Sequence, residues 1–158
     1  MVVIVTGTIN SGKTTRMKAL HEEHGGDGFV MEKTMDKDTV KSYHALRLST
    51  GEKRLLVLRE GYQAEGFKEA VRIGPYRFSA EALKWVETTL KTLMKRRIEP
   101  LFLDEVGGLE LRGEGFDSIL KVMATYPGTI YLCVRENHIK GIVRRYRFHP
   151  VTVQGSKE

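Results

Sequence analysis

The sequence has little of what disulfide-rich, secreted or membrane proteins are built from. Its 158 residues include one cysteine, Cys133, so it can form neither an intramolecular disulfide nor a metal site of several cysteines. Cys133 lies in the apolar run TIYLCV, which indicates a small buried side chain rather than a nucleophile. No run of about 18 apolar residues is present, so no membrane span is expected. The N-terminus lacks the features of a secretory signal, which favours the cytoplasm.

The charge of the chain is unbalanced toward the positive side. The formal net charge is +6, and a basic protein attracts polyanions such as nucleotides and nucleic acids. Two basic stretches, residues 91–97 and 144–147, fall at the ends of predicted helices, where cations complement the helix dipole. No nucleic-acid recognition motif accompanies them. A solvated helix face is therefore the favoured interpretation, and a nucleic-acid partner is compatible with the charge but unsupported by a motif.

The order of apolar segments predicts one α/β domain over residues 1–158. The run at 2–7 is apolar, β-branched and closed by glycine, as in a strand buried on both faces. Similar runs follow at 100–105 and 129–134, and amphipathic helices lie between them. Such alternation is typical of a mostly parallel sheet.

The middle of the chain has a different pattern. Residues 28–60 predict short antiparallel strands at the edge of the main sheet, with a hairpin turn at 49–53. Residues 61–79 contain several glycines and a proline, and we expect them to be irregular, with a short strand or turn. Ser79 is expected to cap the next helix, and Asn137 the last one.

The strongest motif is the string GTINSGKT at the end of the first predicted strand. It fits G-x-x-x-x-G-K-[ST] at every fixed position, and it opens a predicted helix, the context that supports a phosphate-binding loop. Glycines are needed there because backbone N–H groups must approach the phosphates closely, and the helix N-terminus favours an anion. We expect the nucleotide to contact Gly7, Thr8, Ile9, Asn10, Ser11, Gly12, Lys13, Thr14 and Thr15.

Two residues of this motif and two acids later in the chain have expected roles in phosphate transfer. Lys13 is expected to reach the β- and γ-phosphates, and Thr14 to offer its hydroxyl to Mg²⁺. Asp104 and Glu105 end a buried strand, where ligands of open α/β sheets bind. Asp104 is expected to hold Mg²⁺ opposite Thr14, and Glu105 to polarise a water, which favours hydrolysis. Glu110, in the following string VGGLEL, could support the site residues from behind, but a surface acid is the favoured interpretation.

An arginine often stabilises the charge that develops on the γ-phosphate. The candidates are Arg72, Arg112 and Arg135. Arg135 ends the third buried strand and should lie on the same rim as Asp104, and Arg72 lies in the glycine-bracketed string VRIGPY. For each arginine a structural role is favoured, and a catalytic arginine from another subunit is an alternative.

Four strings together resemble a known family: GTINSGKTT, STGEK, RIGPYRFSAEAL and LFLDEVGGLEL. They are similar to the small P-loop nucleoside-triphosphatases first described from hyperthermophiles, with relatives in archaea, bacteria and animals. The last string is the most telling, because the family usually shows Asp-Glu-hydrophobic-Gly-x-hydrophobic-Glu there. The resemblance runs from Val2 to about Arg147. The chain departs from the family at Ile9 and Asn10, where Pro-Gly is frequent.

The resemblance implies both a fold and an activity. The fold is a P-loop NTPase of the α/β class: a RecA-like, mostly parallel sheet flanked by helices, with an antiparallel edge hairpin. The activity is slow, Mg²⁺-dependent hydrolysis of ATP, GTP and other nucleoside triphosphates to diphosphate and phosphate, with broad base tolerance. Lys13, Thr14, Asp104 and Glu105 would act in the roles already described.

Two other functions share the same loop. A nucleotide or small-molecule kinase would use the RIGPY region, residues 72–76, or the helix at 144–147 as an acceptor site or lid. The adjacent Asp104 and Glu105 argue against this function without excluding it. A nucleotide-switched RNA-binding module is suggested by the basic helices, and its RNA binding would depend strongly on salt.

Overall fold

The computed structural model describes residues 1–7 and 12–155. The predicted nucleotide contacts of Thr8, Ile9, Asn10 and Ser11 lie outside the described residues, as do residues 156–158. The phosphate-binding loop is therefore described only at its two ends.

Within the described residues, nine strands form one mixed sheet. Their order across the sheet is β5-β6-β4-β3-β2-β7-β8-β1-β9. The strands are β1 (Val2–Thr6), β2 (Asp27–Asp36), β3 (Thr39–Arg47), β4 (Lys53–Arg59), β5 (Glu69–Ile73), β6 (Tyr76–Ser79), β7 (Leu101–Val106), β8 (Ile130–Val134) and β9 (Val151–Gly155).

The half of the sheet from β2 to β9 is parallel. Strand β8 pairs in parallel with both β1 and β7, and β7 pairs in parallel with β2. All five residues of β1 and of β8 are buried, as expected for apolar strands covered on both faces. The predicted RecA-like α/β fold is confirmed.

The antiparallel half is larger than the predicted edge hairpin. Strands β3 and β4 pair around the predicted turn, but β6 also pairs with β4, and β5 with β6. The prediction that residues 61–79 are irregular, with a short strand or turn, therefore holds only in part: residues 61–68 contain no strand, but two strands follow. Their pairing as two strands of the sheet escaped prediction because they are only five and four residues long, and Gly74 and Pro75 interrupt the pattern between them.

Five α-helices are described: α1 (Lys13–His24), α2 (Ala80–Lys95), α3 (Gly108–Leu111), α4 (Asp117–Met123) and α5 (Ile139–Tyr146). Ser79 caps α2, since its Oγ accepts a hydrogen bond from the Ala82 backbone N at 3.1 Å. The predicted cap by Asn137 was wrong. Asn137 lies inside a 3₁₀ turn at 136–138, and His138 precedes α5 without a capping side-chain bond.

The helices cover both faces of the parallel half. On one face, Met17 and Leu20 of α1 pack on Val3, Val5 and other buried strand residues. On the other face, the apolar sides of α2, α4 and α5 join a larger cluster. None of the helices in the described part of the chain has the length and apolar character needed to cross a membrane.

Candidate active site

The sheet topology brings the predicted phosphate loop and the predicted acidic strand end to one rim. Strands β1 and β7 lie on either side of β8, and all three are parallel. Their carboxyl ends therefore face the same edge, where ligands of open α/β sheets bind. Lys13 is the first residue of α1 and is 9% exposed. The helix thus begins where a phosphate group would be held.

Thr14 and Asp104 meet directly at this rim. The Thr14 hydroxyl donates to Asp104 Oδ2 at 2.8 Å, and the Met31 backbone N donates to the same oxygen at 3.0 Å. The other oxygen, Oδ1, accepts from the Glu105 backbone N at 2.9 Å. Asp104 is fully buried. Its carboxylate is therefore fixed by three donors, with one oxygen turned toward the start of α1.

Glu105, near the end of β7, has an unusual backbone conformation. Its φ is 59°, a left-handed value that costs a non-glycine residue about 1–3 kcal/mol and is concentrated at functional sites. The side chain is exposed, but the protein around it partly desolvates the carboxylate. This desolvation, and then the charge of Asp104, raise the pKa of Glu105, while Arg135, Lys13 and Lys33 oppose the rise. Three cations therefore act on this carboxylate.

A cavity of about 390 Å³ opens beside Glu105. Its polar lining includes Lys13, Glu105, Arg135 and His138. Most of the remaining wall is apolar and comes from the antiparallel half of the sheet and from α3. The side chains of this apolar wall include Met31, Tyr43, Leu56, Ile73, Tyr76 and Phe78.

Only one of the predicted arginines lies at the cavity. Arg135 follows β8 and lines the cavity with Glu105. Arg72 is not among the lining residues, and its guanidinium is paired with Glu69 at 3.0 Å and Glu60 at 3.3 Å. Arg112 donates to the Arg72 carbonyl at 2.8 Å. The contacts of Arg72 and Arg112 therefore stabilise strand β5 and the segments beside it.

The interpretation of Glu110 as a surface acid was wrong. Glu110 is 3% exposed, and its two oxygens accept from the backbone N of Gly107 at 2.7 Å and of Phe116 at 2.9 Å. Burial raises the pKa of Glu110, and the two N–H donors oppose that rise. The signal in the sequence that could have indicated burial is that Glu110 stands between two apolar residues, Leu109 and Leu111.

Tyr43 and His138 also lie at the cavity without having been predicted. Burial, together with the charge of Glu105, raises the pKa of Tyr43 to about 12, so its hydroxyl stays protonated at neutral pH. The His138 ring packs on Gly107, since a Cβ at that glycine would lie 2.8 Å from His138 Nδ1. Neither residue belongs to a sequence motif, because their strand and turn reach the cavity only through the tertiary fold.

Fold and site together define a P-loop nucleotide-binding protein. The chain matches the sequence model of a family described as NTPase over residues 2–154. It therefore belongs to the NTPase family and is a nucleoside triphosphatase. A sequence search of curated proteins gives no match.

Two solved structures have the same fold. THEP1 from the hyperthermophile Aquifex aeolicus superposes with a TM-score of 0.73 at 17% identity, covering 99% of this chain and 90% of that chain. A human cancer-related nucleoside triphosphatase superposes with a TM-score of 0.64 at 22% identity, covering 97% of this chain and 87% of that chain. At such identities the likeness concerns the fold.

Proposed function

We propose that the protein hydrolyses Mg²⁺-bound ATP, GTP and other nucleoside triphosphates to the diphosphate and phosphate, at the rim formed by α1 and β7. The observation that carries the proposal is the 2.8 Å hydrogen bond from the Thr14 hydroxyl to Asp104 Oδ2. It joins the last residue of the phosphate-loop motif to the acid near the end of β7, the two groups that hold Mg²⁺ in P-loop enzymes.

The donor set at this point suits Mg²⁺. A hydroxyl and a carboxylate are hard oxygen ligands, and Mg²⁺ is usually held by one or two carboxylates together with substrate phosphates. No group of three or more His, Cys, Asp or Glu side chains that could hold a metal occurs in the described part of the chain. When bound, Mg²⁺ would neutralise phosphate charge. Thr14 and Asp104 would hold it.

Cationic groups surround the expected position of the γ-phosphate. Lys13 is held near the cavity by the first turn of α1, and it would contact the β- and γ-phosphates. Arg135 reaches the same cavity from the end of β8. The N-terminus of α1 adds favourable peptide dipoles. Together these groups would stabilise the charge that develops as the bond to the leaving diphosphate breaks.

Glu105 is the residue best placed to orient the attacking water. Its carboxylate lies at the cavity beside Lys13 and Arg135, and its backbone conformation turns the chain directly after Asp104. Glu105 would accept a hydrogen bond from a water in line with the γ-phosphorus, and would take its proton as the new P–O bond forms.

The proposal is tested by measuring phosphate release from a panel of triphosphates with and without Mg²⁺. Lys13→Ala should lose nucleotide affinity and turnover together. Glu105→Gln should keep nucleotide binding and lose turnover by about 100-fold or more, within the usual effect of a general base. Glu22→Gln, an exposed position on α1, is the matched control and should hydrolyse like wild type. Equal rates for all four proteins would overturn the assigned site.

One observation favours a second candidate, phosphoryl transfer to a small molecule. The segment that the sequence suggested as an acceptor region does reach the cavity, since Ile73, Gly74, Pro75 and Tyr76 all line it with Glu105. A kinase would form ADP in proportion to an added acceptor. The hydrolase releases one phosphate for each diphosphate with no acceptor present, so the ratio of the two products separates the functions.

A further inference from the structure

The cavity beside Glu105 is larger than the attacking water alone requires. One water occupies roughly 30 Å³ of liquid volume, whereas the cavity measures about 390 Å³. Pockets that bind small organic ligands start at about 300 Å³ and are mostly apolar, with a few convergent polar groups. This cavity has that size and that character.

We propose that the cavity is a binding site for a second ligand, a small uncharged aromatic alcohol. Its ring would lie on the apolar wall, and its hydroxyl would point toward Glu105 and Arg135. The inference rests on the proposed function in one respect, because it places the γ-phosphate of the substrate at the polar end of the same cavity.

The apolar wall is shaped for a flat ring. Tyr43 and Tyr76 form an edge-to-face pair with ring centroids 6.2 Å apart. Arg59 holds the Tyr76 ring in place, since its guanidinium carbon lies 5.5 Å from the ring centroid and Nη1 donates to the Tyr76 hydroxyl at 3.3 Å. Phe78 continues this wall along β6. A third ring added to such an array gains offset or edge-to-face contacts beyond its apolar burial.

The opposite side of the cavity is formed by the segment after β7. Gly107 and Gly108 line it, and a Cβ added at Gly108 would lie 3.0 Å from Ile73 Cδ1. Ile73 of β5 therefore contacts α3 directly, and the two halves of the molecule enclose the cavity between them. A ligand seated there would be held between the aromatic wall and this glycine turn.

The polar end carries both signs of charge, which selects a neutral ligand group. Glu105 supplies a carboxylate, and Lys13 and Arg135 supply cations. A carboxylate on the ligand would face Glu105 and the substrate phosphates, while an ammonium group would face the two cations. A hydroxyl can donate to Glu105 and accept from Arg135 at once.

Binding is tested by saturation-transfer NMR and titration on the full chain without nucleotide. The probes are benzyl alcohol and tryptophol, and cyclohexylmethanol is the saturated match to benzyl alcohol. The aromatic alcohols should bind, and benzyl alcohol should bind about two- to tenfold more tightly than cyclohexylmethanol, the range given by one aromatic contact. Tyr76→Leu should remove this preference. Tyr62→Leu makes the same change outside the cavity lining and should keep it.

Two results would overturn the proposal. One is that neither aromatic probe binds wild type at millimolar concentration. The other is that Tyr76→Leu binds both aromatic probes with the same affinity as wild type. In a separate assay with ATP, tryptophol should slow phosphate release by wild type and much less by Tyr76→Leu, because its hydroxyl takes the place of the attacking water. Failure of hydrolysis itself would leave the nucleotide-free binding result standing, so the two proposals fail separately.

Discussion

The hydroxyl of Thr14 donates to Asp104 across 2.8 Å, although the two residues are 90 positions apart in the chain. The contact depends on β8, which separates β1 from β7 and sets both strand ends on one rim. Asp104 is also held by the backbone N–H groups of Met31 and Glu105. The proposed metal ligand is therefore oriented by the sheet itself.

Replacement of Asp104 should weaken the response to Mg²⁺. Asp104→Asn keeps the size of the side chain but removes its charge, and we expect phosphate release to fall by at least about 100-fold, since a bound metal contributes several kcal/mol to catalysis. The Mg²⁺ concentration that gives half-maximal activity should rise. Asp38→Asn, at an exposed turn, is the control. Wild-type metal dependence in Asp104→Asn would show that the ion is held elsewhere.

Glu110 should affect turnover through the backbone that follows Glu105. Its oxygens accept from the N–H groups of Gly107 and Phe116, and Glu110→Gln would turn an NH₂ group toward one of these donors. We expect kcat to fall by about tenfold with little change in KM for ATP, and stability to fall by about 1–3 kcal/mol for the unsatisfied donor. The measurements are steady-state kinetics and urea unfolding.

Glu114→Gln is the matched control for Glu110, because Glu114 is an exposed acid in the same segment. It should leave both the kinetics and the unfolding curve unchanged. If Glu110→Gln lowers stability but leaves kcat at the wild-type value, Glu110 only supports the fold and does not position Glu105.

Asp117 should make stability depend on acid pH. Hydrogen bonds from Arg145 at 2.8 Å and Tyr146 at 2.6 Å lower the pKa of Asp117 to about 2. A carboxyl whose pKa is lower in the folded state stabilises the fold above its unfolded pKa, near 3.8. That stabilisation, on the order of 2 kcal/mol, should be lost as pH falls from about 4 to about 2.

The check is the free energy of unfolding of wild type and Asp117→Asn across this acid range. The gap between the two proteins should be widest above about pH 4 and should shrink toward about pH 2, since protonated Asp117 resembles the amide. A gap that stays constant with pH would show that the charge of Asp117 contributes nothing to stability.

Gly28 should tolerate no side chain because a neighbouring strand fills the space around it. Gly51, which has open space around it, separates this steric effect from backbone strain. Gly28 has φ 146°, and a Cβ there would lie 2.1 Å from the Phe102 carbonyl oxygen of the neighbouring strand. Gly51 also has a positive φ, 76°, but has nothing within 4 Å. Gly51→Ala should cost about 1 kcal/mol from backbone strain alone. Gly28→Ala should cost clearly more, on the order of 3 kcal/mol or greater. Equal losses in urea unfolding would refute the steric account.

The parallel core could be predicted because its signals are local. Strands buried on both faces are continuous apolar runs, and the string GTINSGKT links the first of them to α1 within the sequence itself. The position of Asp104 and Glu105 near the end of a buried strand was predicted in the same way, from the acids that close an apolar run. Ser79 was identified as a helix cap because capping involves only the next three residues.

The features that escaped prediction depend on contacts between distant segments. Strands β5 and β6 are stabilised by pairing with each other and with β4, which no local pattern indicates. Glu110 is buried because the chain returns at Phe116 to donate to it. The structural role favoured for Arg72 could not be specified, because its partners Glu60 and Glu69 are brought to its guanidinium by the fold.

The most direct test of the account compares nucleotide binding and phosphate release in wild type and Glu105→Gln, both with Mg²⁺ and ATP. The account predicts that the variant binds ATP as tightly as wild type but releases phosphate more slowly, by about 100-fold or more. A variant that binds ATP normally and releases phosphate at the wild-type rate would contradict it, because the water would then be activated by a group other than Glu105.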